Sequence, residues 1–147
     1  REVGFDNINM DLIVGLPEET IEDVRETMRQ LEELDPDNIT VHSLAIKRAA
    51  RLRMQKEQYE NLHIENTAQT IDLTAECCHE MGLEPYYLYR QKNMAGNFEN
   101  VGYAKPGKAG VYNILIMEEK QTIMALGAGA TTKVVLRMAS VSSVWEM

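Results

Sequence analysis

The 147-residue chain has only two cysteines, Cys77 and Cys78, and they are neighbours. Adjacent positions in a helix-patterned segment are poorly placed for a disulfide. Two thiols are also too few for a structural zinc or an iron–sulfur cluster. They read as two reduced helix cysteines, at least one of them in the core. Long apolar runs are missing too, and nothing approaches the roughly 18 residues that a membrane span requires. The beginning, Arg1 and Glu2 before Val3, lacks the basic, apolar and small-residue zones of a signal peptide. These features lead to an expectation of a cytoplasmic protein. Positive charge is scarce: 15 Lys and Arg stand against 23 Asp and Glu, for a net charge of -8. A broad electrostatic grip on nucleic acid needs clustered cations, so that class of partner is disfavoured and only local basic patches remain. Repeats and low-complexity segments are absent. What is present is an ordinary globular balance, 44% hydrophobic and 26% charged, in about one domain's length. Such a chain buries roughly two thirds of its unfolded surface.

Ile8, Met10, Leu12 and Val14 alternate with Asn9, Asp11 and Ile13 before Gly15-Leu16-Pro17, which predicts a mostly buried strand over residues 7 to 14. Ile21, Val24, Met28, Leu31 and Leu34 then recur at helical spacing. Glu18, Glu19, Glu22, Asp23 and Glu26 gather where a helix dipole favours negative charge, with Thr20 as the N-cap. Pro36 stops the helix, and the β-branched run Ile39 to Leu44 predicts a second strand. Strand, helix and strand in this order give a right-handed βαβ unit with parallel strands.

Beyond Ile46 come a basic stretch, Lys47, Arg48, Arg51, Arg53 and Lys56, and a helix with Ile64, Ala68, Ile71, Ala75, Cys78 and Met81 on one face. Gly82 and Pro85 end that helix. The segment YYLYRQKNMAGNFENVGYAKPGKAGVYN predicts a short aromatic strand and a Gly- and Asn-rich loop. From Val111 a strand-like run leads into the glycine-punctuated IMALGAGATT. Two parallel strands do not complete a parallel sheet, so further strands are expected upstream of Arg1, in a longer protein.

Asp11 is the residue the strand pattern does not explain. In parallel α/β folds ligand groups gather at the carboxyl ends of strands, where a carboxylate can accept two hydrogen bonds from adjacent ribose hydroxyls. The alternative is an Asp satisfied by backbone N–H groups of the Gly15 turn. His42 reads as a proton donor or as a hydrogen-bonded strand histidine. His63 and His79 have no ligand spacing, and no metal site is expected from them. The stretch Lys47 to Lys56 reads as a clamp for an acidic ligand or as a solvated helix face. Gly127 and Gly129 allow either close approach to a ligand or tight packing of a turn. Tyr86, Tyr87 and Tyr89 read as strand packing, with stacking on a flat ligand as the alternative.

Taken together, NMDLIVGLPEET, LDPDNITVHSLAIKRA and GYAKPGKAGVYN with QTIMALGAGA resemble the later part of radical S-adenosylmethionine proteins of the oxygen-independent coproporphyrinogen III oxidase family. YYLYRQKNMAGNFENVGYA is most similar to the coproporphyrinogen dehydrogenase-like branch. The resemblance covers residues 4 to about 133, and VVLRMASVSSVWEM lies outside it. It implies an α/β fold: residues 1–46 as the last βαβ part of a partial parallel (βα)6 radical SAM barrel, and residues 47–147 as a C-terminal α+β accessory region. It also implies that Asp11 contacts the ribose of S-adenosylmethionine, that Ile13 packs against the nucleoside, and that the backbone at Ala45 approaches the adenine.

The family's CxxxCxxC motif is absent, as is the Gly-rich strand-end motif that usually follows it. The ligands of the 4Fe–4S cluster are therefore expected outside this chain, which on its own is expected to be inactive and prone to associate. For the full-length protein the resemblance implies cleavage of S-adenosylmethionine to a radical that starts oxidative decarboxylation of coproporphyrinogen III propionates to vinyl groups, with an electron donor as partner. The rival reading is a haem-binding carrier of the same superfamily.

Overall fold

The computed structural model describes residues 1–45, 67–89 and 98–135. The basic stretch Lys47 to Lys56, His63 and the Ile64 end of the second helix lie outside the described residues. The chain divides into two compact units, Arg1–Gly110 and Val111–Met147.

In the first unit, strand β1 (Asn9–Val14) is followed by helix α1 (Ile21–Leu34) and strand β2 (Asn38–Ser43). β1 is shorter than the predicted 7 to 14, and β2 begins one residue early and ends at Ser43. The helix starts where the sequence says it should. Thr20 accepts a hydrogen bond from the Asp23 N–H through its hydroxyl, while the Asp23 carboxylate accepts from the Thr20 N–H, which closes a capping box. The Thr20 hydroxyl, 2.7 Å from Asp23 Oδ2, and then the Thr20 N–H hold the Asp23 carboxyl below its usual range. At the other end Asp35 adopts a left-handed conformation with φ 49° just ahead of Pro36, so the chain turns instead of continuing the helix. β1 and β2 pair in parallel, Asn9 opposite Asn38 through Val14 opposite Ser43, as the βαβ reading requires.

Helix α2 (Ala68–Glu80), capped by Thr67, leads into strand β3 (Glu84–Tyr89) and then strand β4 (Asn100–Ala104). The sequence reading left NVGYA in a loop, but it forms a strand. β4 inserts between β2 and β3, antiparallel to both, giving one mixed sheet of order β1-β2-β4-β3. Short segments containing Gly and Asn carry weak strand signals of their own. Here the N–H and C=O groups are satisfied by partners on both sides.

One face of this sheet makes the core. Val14 of β1, Ile39 and Val41 of β2 and Tyr103 of β4 pack with Val24 and Met28 of α1 and with Leu73 and Cys78 of α2. Because strand residues alternate faces, the residues between them point the other way.

In the second unit, Val111–Met117 forms a two-turn helix, α3, which corrects the expected strand. A short run of Val, Tyr, Ile and Leu does not by itself distinguish helix from strand. No strand pairs with it among the described residues, so its backbone bonds are made within the run, and the Glu118 N–H continues them to the Ile114 carbonyl at 2.9 Å. Beyond it Ile123 bridges Lys133 across a turn holding Gly127 and Gly129, with φ of 123° and 76°. A Cβ at either glycine would meet nothing within 4 Å. The turn therefore needs these glycines for their backbone angles, and neither tight packing nor a close neighbour explains them.

Among the described residues no helix is long and apolar enough to cross a membrane. Both cysteines are unbridged: Cys77 is half-buried and Cys78 is fully buried in the core. Burial pushes the Cys78 thiol from 9.0 up to about 12, and burial followed by the nearby Glu80 carboxylate raises that of Cys77. In the folded chain at pH 8, Cys78 is expected to resist iodoacetamide and to react once the chain is unfolded in urea. Between pH 9 and about 12 the unfolded thiol gives up its proton while the folded one keeps it, so its contribution to stability falls as pH rises through that window. Rapid native labelling of Cys78, followed by mass spectrometry, would contradict its placement.

Candidate functional site

The sheet face opposite the core is polar and aromatic. On β1 it carries Asn9, Asp11 and Ile13, all exposed, while Leu12 and Val14 turn to the core. Strand pairing extends this pattern into rows. Asp11 lies opposite Thr40, Thr40 opposite Gly102, and Gly102 opposite Tyr87. One row on, Ile13 pairs with His42, and Tyr89 pairs with Asn100.

A cavity of about 380 Å³ opens at the carboxyl ends of β1 and β2. Asp11, Ile13 and Ala45, the three residues nominated from the sequence, all line it. His42, Leu44, Tyr89 and Asn100 complete much of the wall. Buried Asn100 accepts the Ser43 N–H at 2.9 Å and so fixes the end of β2 against β4.

The Asp11 side chain is 64% exposed at this cavity. Its Oδ1 accepts a 2.8 Å hydrogen bond from Asn9 Nδ2 and lies 3.8 Å from His42 Nε2. Among the described residues its Oδ2 accepts no hydrogen bond. The alternative role for Asp11, satisfying the Gly15 turn, is overturned. Glu19 Oε2 accepts the Gly15 N–H at 2.7 Å and the Leu16 N–H at 3.2 Å. The turn already has its carboxylate, one turn of chain ahead of the helix that Glu19 introduces.

Asn9 is held in turn. Its Oδ1 accepts from the Thr40 hydroxyl at 3.1 Å, which fixes its amide so that Nδ2 donates to Asp11. Thr40 thus links β2 to β1 through Asn9, and a chain of hydrogen bonds runs Thr40, Asn9, Asp11. Burial raises the Tyr87 hydroxyl above its ordinary range, against a smaller opposing effect of Thr40. The Tyr87 and Tyr89 rings are parallel within 8° at 6.4 Å, Tyr86 meets Tyr87 edge-on, and Tyr89 meets His42 edge-on at 6.5 Å. The tyrosine cluster thus packs, as expected, and Tyr89 also faces the cavity. His42 stands beside Asp11, while His79 sits in the last turn of α2, away from it.

Sequence reasoning missed Asn9, Thr40, Asn100 and Gly102. Period two would have placed Asn9 beside Asp11, but nothing local could assign Thr40 or Asn100 as its neighbours.

The donor set fits a ribonucleoside: a carboxylate with one oxygen unbonded among the described residues, an aliphatic side chain at Ile13, and half-buried backbone at Ala45 just past β2, around a volume in the range of small-ligand sites. It does not fit an iron–sulfur cluster. Among the described residues no three His, Cys, Asp or Glu side chains are grouped to hold a metal, and the two cysteines lie on α2.

Over 137 residues the chain is 46% identical to the oxygen-independent coproporphyrinogen-III oxidase-like protein HemZ of Bacillus subtilis (strain 168), an alignment covering 93% of this chain and 27% of that protein. It is 27% identical over 132 residues to the heme chaperone HemW of the same organism, covering 88% of this chain and 31% of HemW. A shorter match, 44% over 45 residues, covers 31% of this chain and 10% of the oxygen-independent coproporphyrinogen III oxidase of Synechocystis sp.. The chain thus spans about a quarter to a third of the length of HemZ and HemW. No protein-family model matches the chain, and no solved structure does. The resemblance to the coproporphyrinogen oxidase family is borne out by the HemZ match.

Gly102 decides how the aromatic part of this face is built, because a Cβ there would stand 2.0 Å from Tyr87 Cε1 and 2.4 Å from Cδ1. Gly102→Ala is expected to displace the Tyr87 ring and to lower stability by about 1–3 kcal/mol, the usual range for overpacking. Urea unfolding of the two chains measures it, and an unchanged midpoint would contradict the packing described.

Proposed function

Because the chain is homologous to a segment of the oxygen-independent coproporphyrinogen III oxidase-like family, we propose that it belongs to a longer radical S-adenosylmethionine protein of tetrapyrrole metabolism, and that its cavity holds the cofactor's nucleoside. The observation that carries this reading is the convergence of Asp11, Ile13 and Ala45, from two strands, on one cavity at the strand ends. Asp11 binds the ribose hydroxyls through its open carboxylate oxygen, with Asn9 holding the other oxygen in place. Ile13 covers the nucleoside with an apolar surface, and the backbone at Ala45 borders the adenine.

In this reading β1, α1 and β2 are the last βαβ part of a partial (βα)6 barrel in residues 1–46, and residues 47–147 form an α+β region beside it. S-adenosylmethionine, together with a 4Fe–4S cluster ligated by polypeptide outside this chain and an electron donor, supplies the radical chemistry. The protein's part is to orient and shield the reacting groups. The whole protein is an oxidoreductase that converts coproporphyrinogen III propionates to vinyl groups by oxidative decarboxylation, in the cytoplasm, and this chain alone is inactive. Higher identity to HemZ than to HemW favours this over a haem carrier.

In the full-length protein, Asp11→Ala is expected to weaken S-adenosylmethionine binding about 10- to 100-fold by calorimetry, the loss of a charge-assisted contact of about 1.5–3 kcal/mol, with the melting curve largely unchanged. Unchanged affinity would end the assignment. Carbon dioxide release from coproporphyrinogen III under reducing anaerobic conditions tests the reaction. Stoichiometric haem binding without that release would mark the protein as the carrier.

A further inference from the structure

We propose that Thr40 and Asn9, neither of which lines the cavity, are positioning residues that set how strongly Asp11 holds the ribose. This rests on the nucleoside reading given above and adds to it two residues that act through a third.

The two parallel strands repeat a diagonal contact on the face opposite the core. In register, Asn38, Thr40 and His42 of β2 stand opposite Asn9, Asp11 and Ile13 of β1. Their side chains reach two residues further back along the first strand. Asn38 Nδ2 donates to Asn7 Oδ1 at 2.6 Å, the Thr40 hydroxyl donates to Asn9 Oδ1 at 3.1 Å, and His42 Nε2 comes to 3.8 Å from Asp11 Oδ1. The first two rungs are closed by hydrogen bonds, whereas the third is too long for one. Asp11 instead takes its hydrogen bond from its own strand, from Asn9 Nδ2 at 2.8 Å. Asn9 therefore ends one rung and supports the carboxylate at the next.

That double duty fixes which way the Asn9 amide faces. An asparagine side chain offers an acceptor on one side and donors on the other, in nearly the same shape. Turned over, Asn9 would set its oxygen against the Asp11 carboxylate, two acceptors with no proton between them. The Thr40 hydroxyl keeps that oxygen on the β2 side and leaves Nδ2 for Asp11. Water competes for both exposed β1 residues, but Thr40 is only 2% exposed, so its hydroxyl is a water-excluded anchor. Released from it, Asp11 turns among rotamers that point away from the cavity, and a ligand has to order the carboxylate as it binds. Strand packing alone does not call for threonine at this position. Valine fills a buried strand position equally well and brings no hydroxyl to satisfy.

The test uses the full-length protein with S-adenosylmethionine titrated by calorimetry, and melting curves alongside. Thr40→Val, which keeps the shape and removes the hydroxyl, is expected to weaken binding about three- to tenfold, the scale of one uncharged hydrogen bond. Thr40→Ser, which keeps the hydroxyl, is expected to bind within about twofold of the wild type. Asn9→Ala, at an exposed position, is expected to weaken binding about three- to tenfold as well, and decides the matter if the valine variant fails to fold. On top of Asp11→Ala neither change is expected to cost further affinity, because no carboxylate remains to be positioned. Unchanged affinity in Asn9→Ala, or in a folded Thr40→Val, overturns the proposal. So do equal losses in Thr40→Val and Thr40→Ser, or losses that add to that of Asp11→Ala, either of which would make these residues structural supports only. Wild-type affinity in Asp11→Ala itself would fail the nucleoside reading and this proposal with it. Weakened binding in Asp11→Ala but not in Asn9→Ala would leave that reading standing and overturn this proposal alone.

Discussion

The parallel register of β1 on β2 is the constraint from which the rest of the structure follows. With Asp11 opposite Thr40 and Leu12 opposite Val41, every second residue of both strands is committed to one face. A slip of one residue would send Asp11 into the core and Leu12 into the open. The apolar set, Val14, Ile39 and Val41, is sealed by α1 and α2, and that burial holds the register. The polar set is then left together on the other side, so the same packing that stabilises the unit assembles the candidate site.

Two acids on either side of the end of β1 in sequence, Asp11 and Glu19, have separate tasks. Glu19 takes the N–H groups of the Gly15 turn, a local task for a carboxylate at the start of a helix. Asp11 is thereby released from the turn. It is steadied through one oxygen by Asn9, and among the described residues the other is left open at the cavity. An exposed carboxylate with a fixed orientation is cheap to hold and ready to accept donors from a ligand, whereas a buried one without partners would be costly.

β4 shows how a weakly encoded strand becomes structurally central. Its Gly102 gives up side-chain packing but makes space for Tyr87, its Asn100 anchors Ser43, and its Tyr103 reaches into the core. The aromatic wall and the end of β2 both depend on it. The hydrogen bonds from Thr40 through Asn9 to Asp11 join β2 to β1, so the carboxylate's orientation depends on the neighbouring strand.

Much of the first 45 residues was legible in sequence. The capping box at Thr20 and Asp23, the stop at Pro36, the helical spacing of Val24 and Met28, and the alternation around Asp11 are set by residues within a turn or two of one another, so the local chain suffices. The family motifs also pointed to Asp11, Ile13 and Ala45, and the fold brings these to one cavity. The placement of NVGYA between β2 and β3, the helical state of Val111–Met117, Glu19 at the turn, and the contacts of Asn9 with Thr40 were settled only in three dimensions. Each depends on which partner, distant in sequence or absent, is available to satisfy backbone and side-chain hydrogen bonds, and periodicity along a chain carries no record of that.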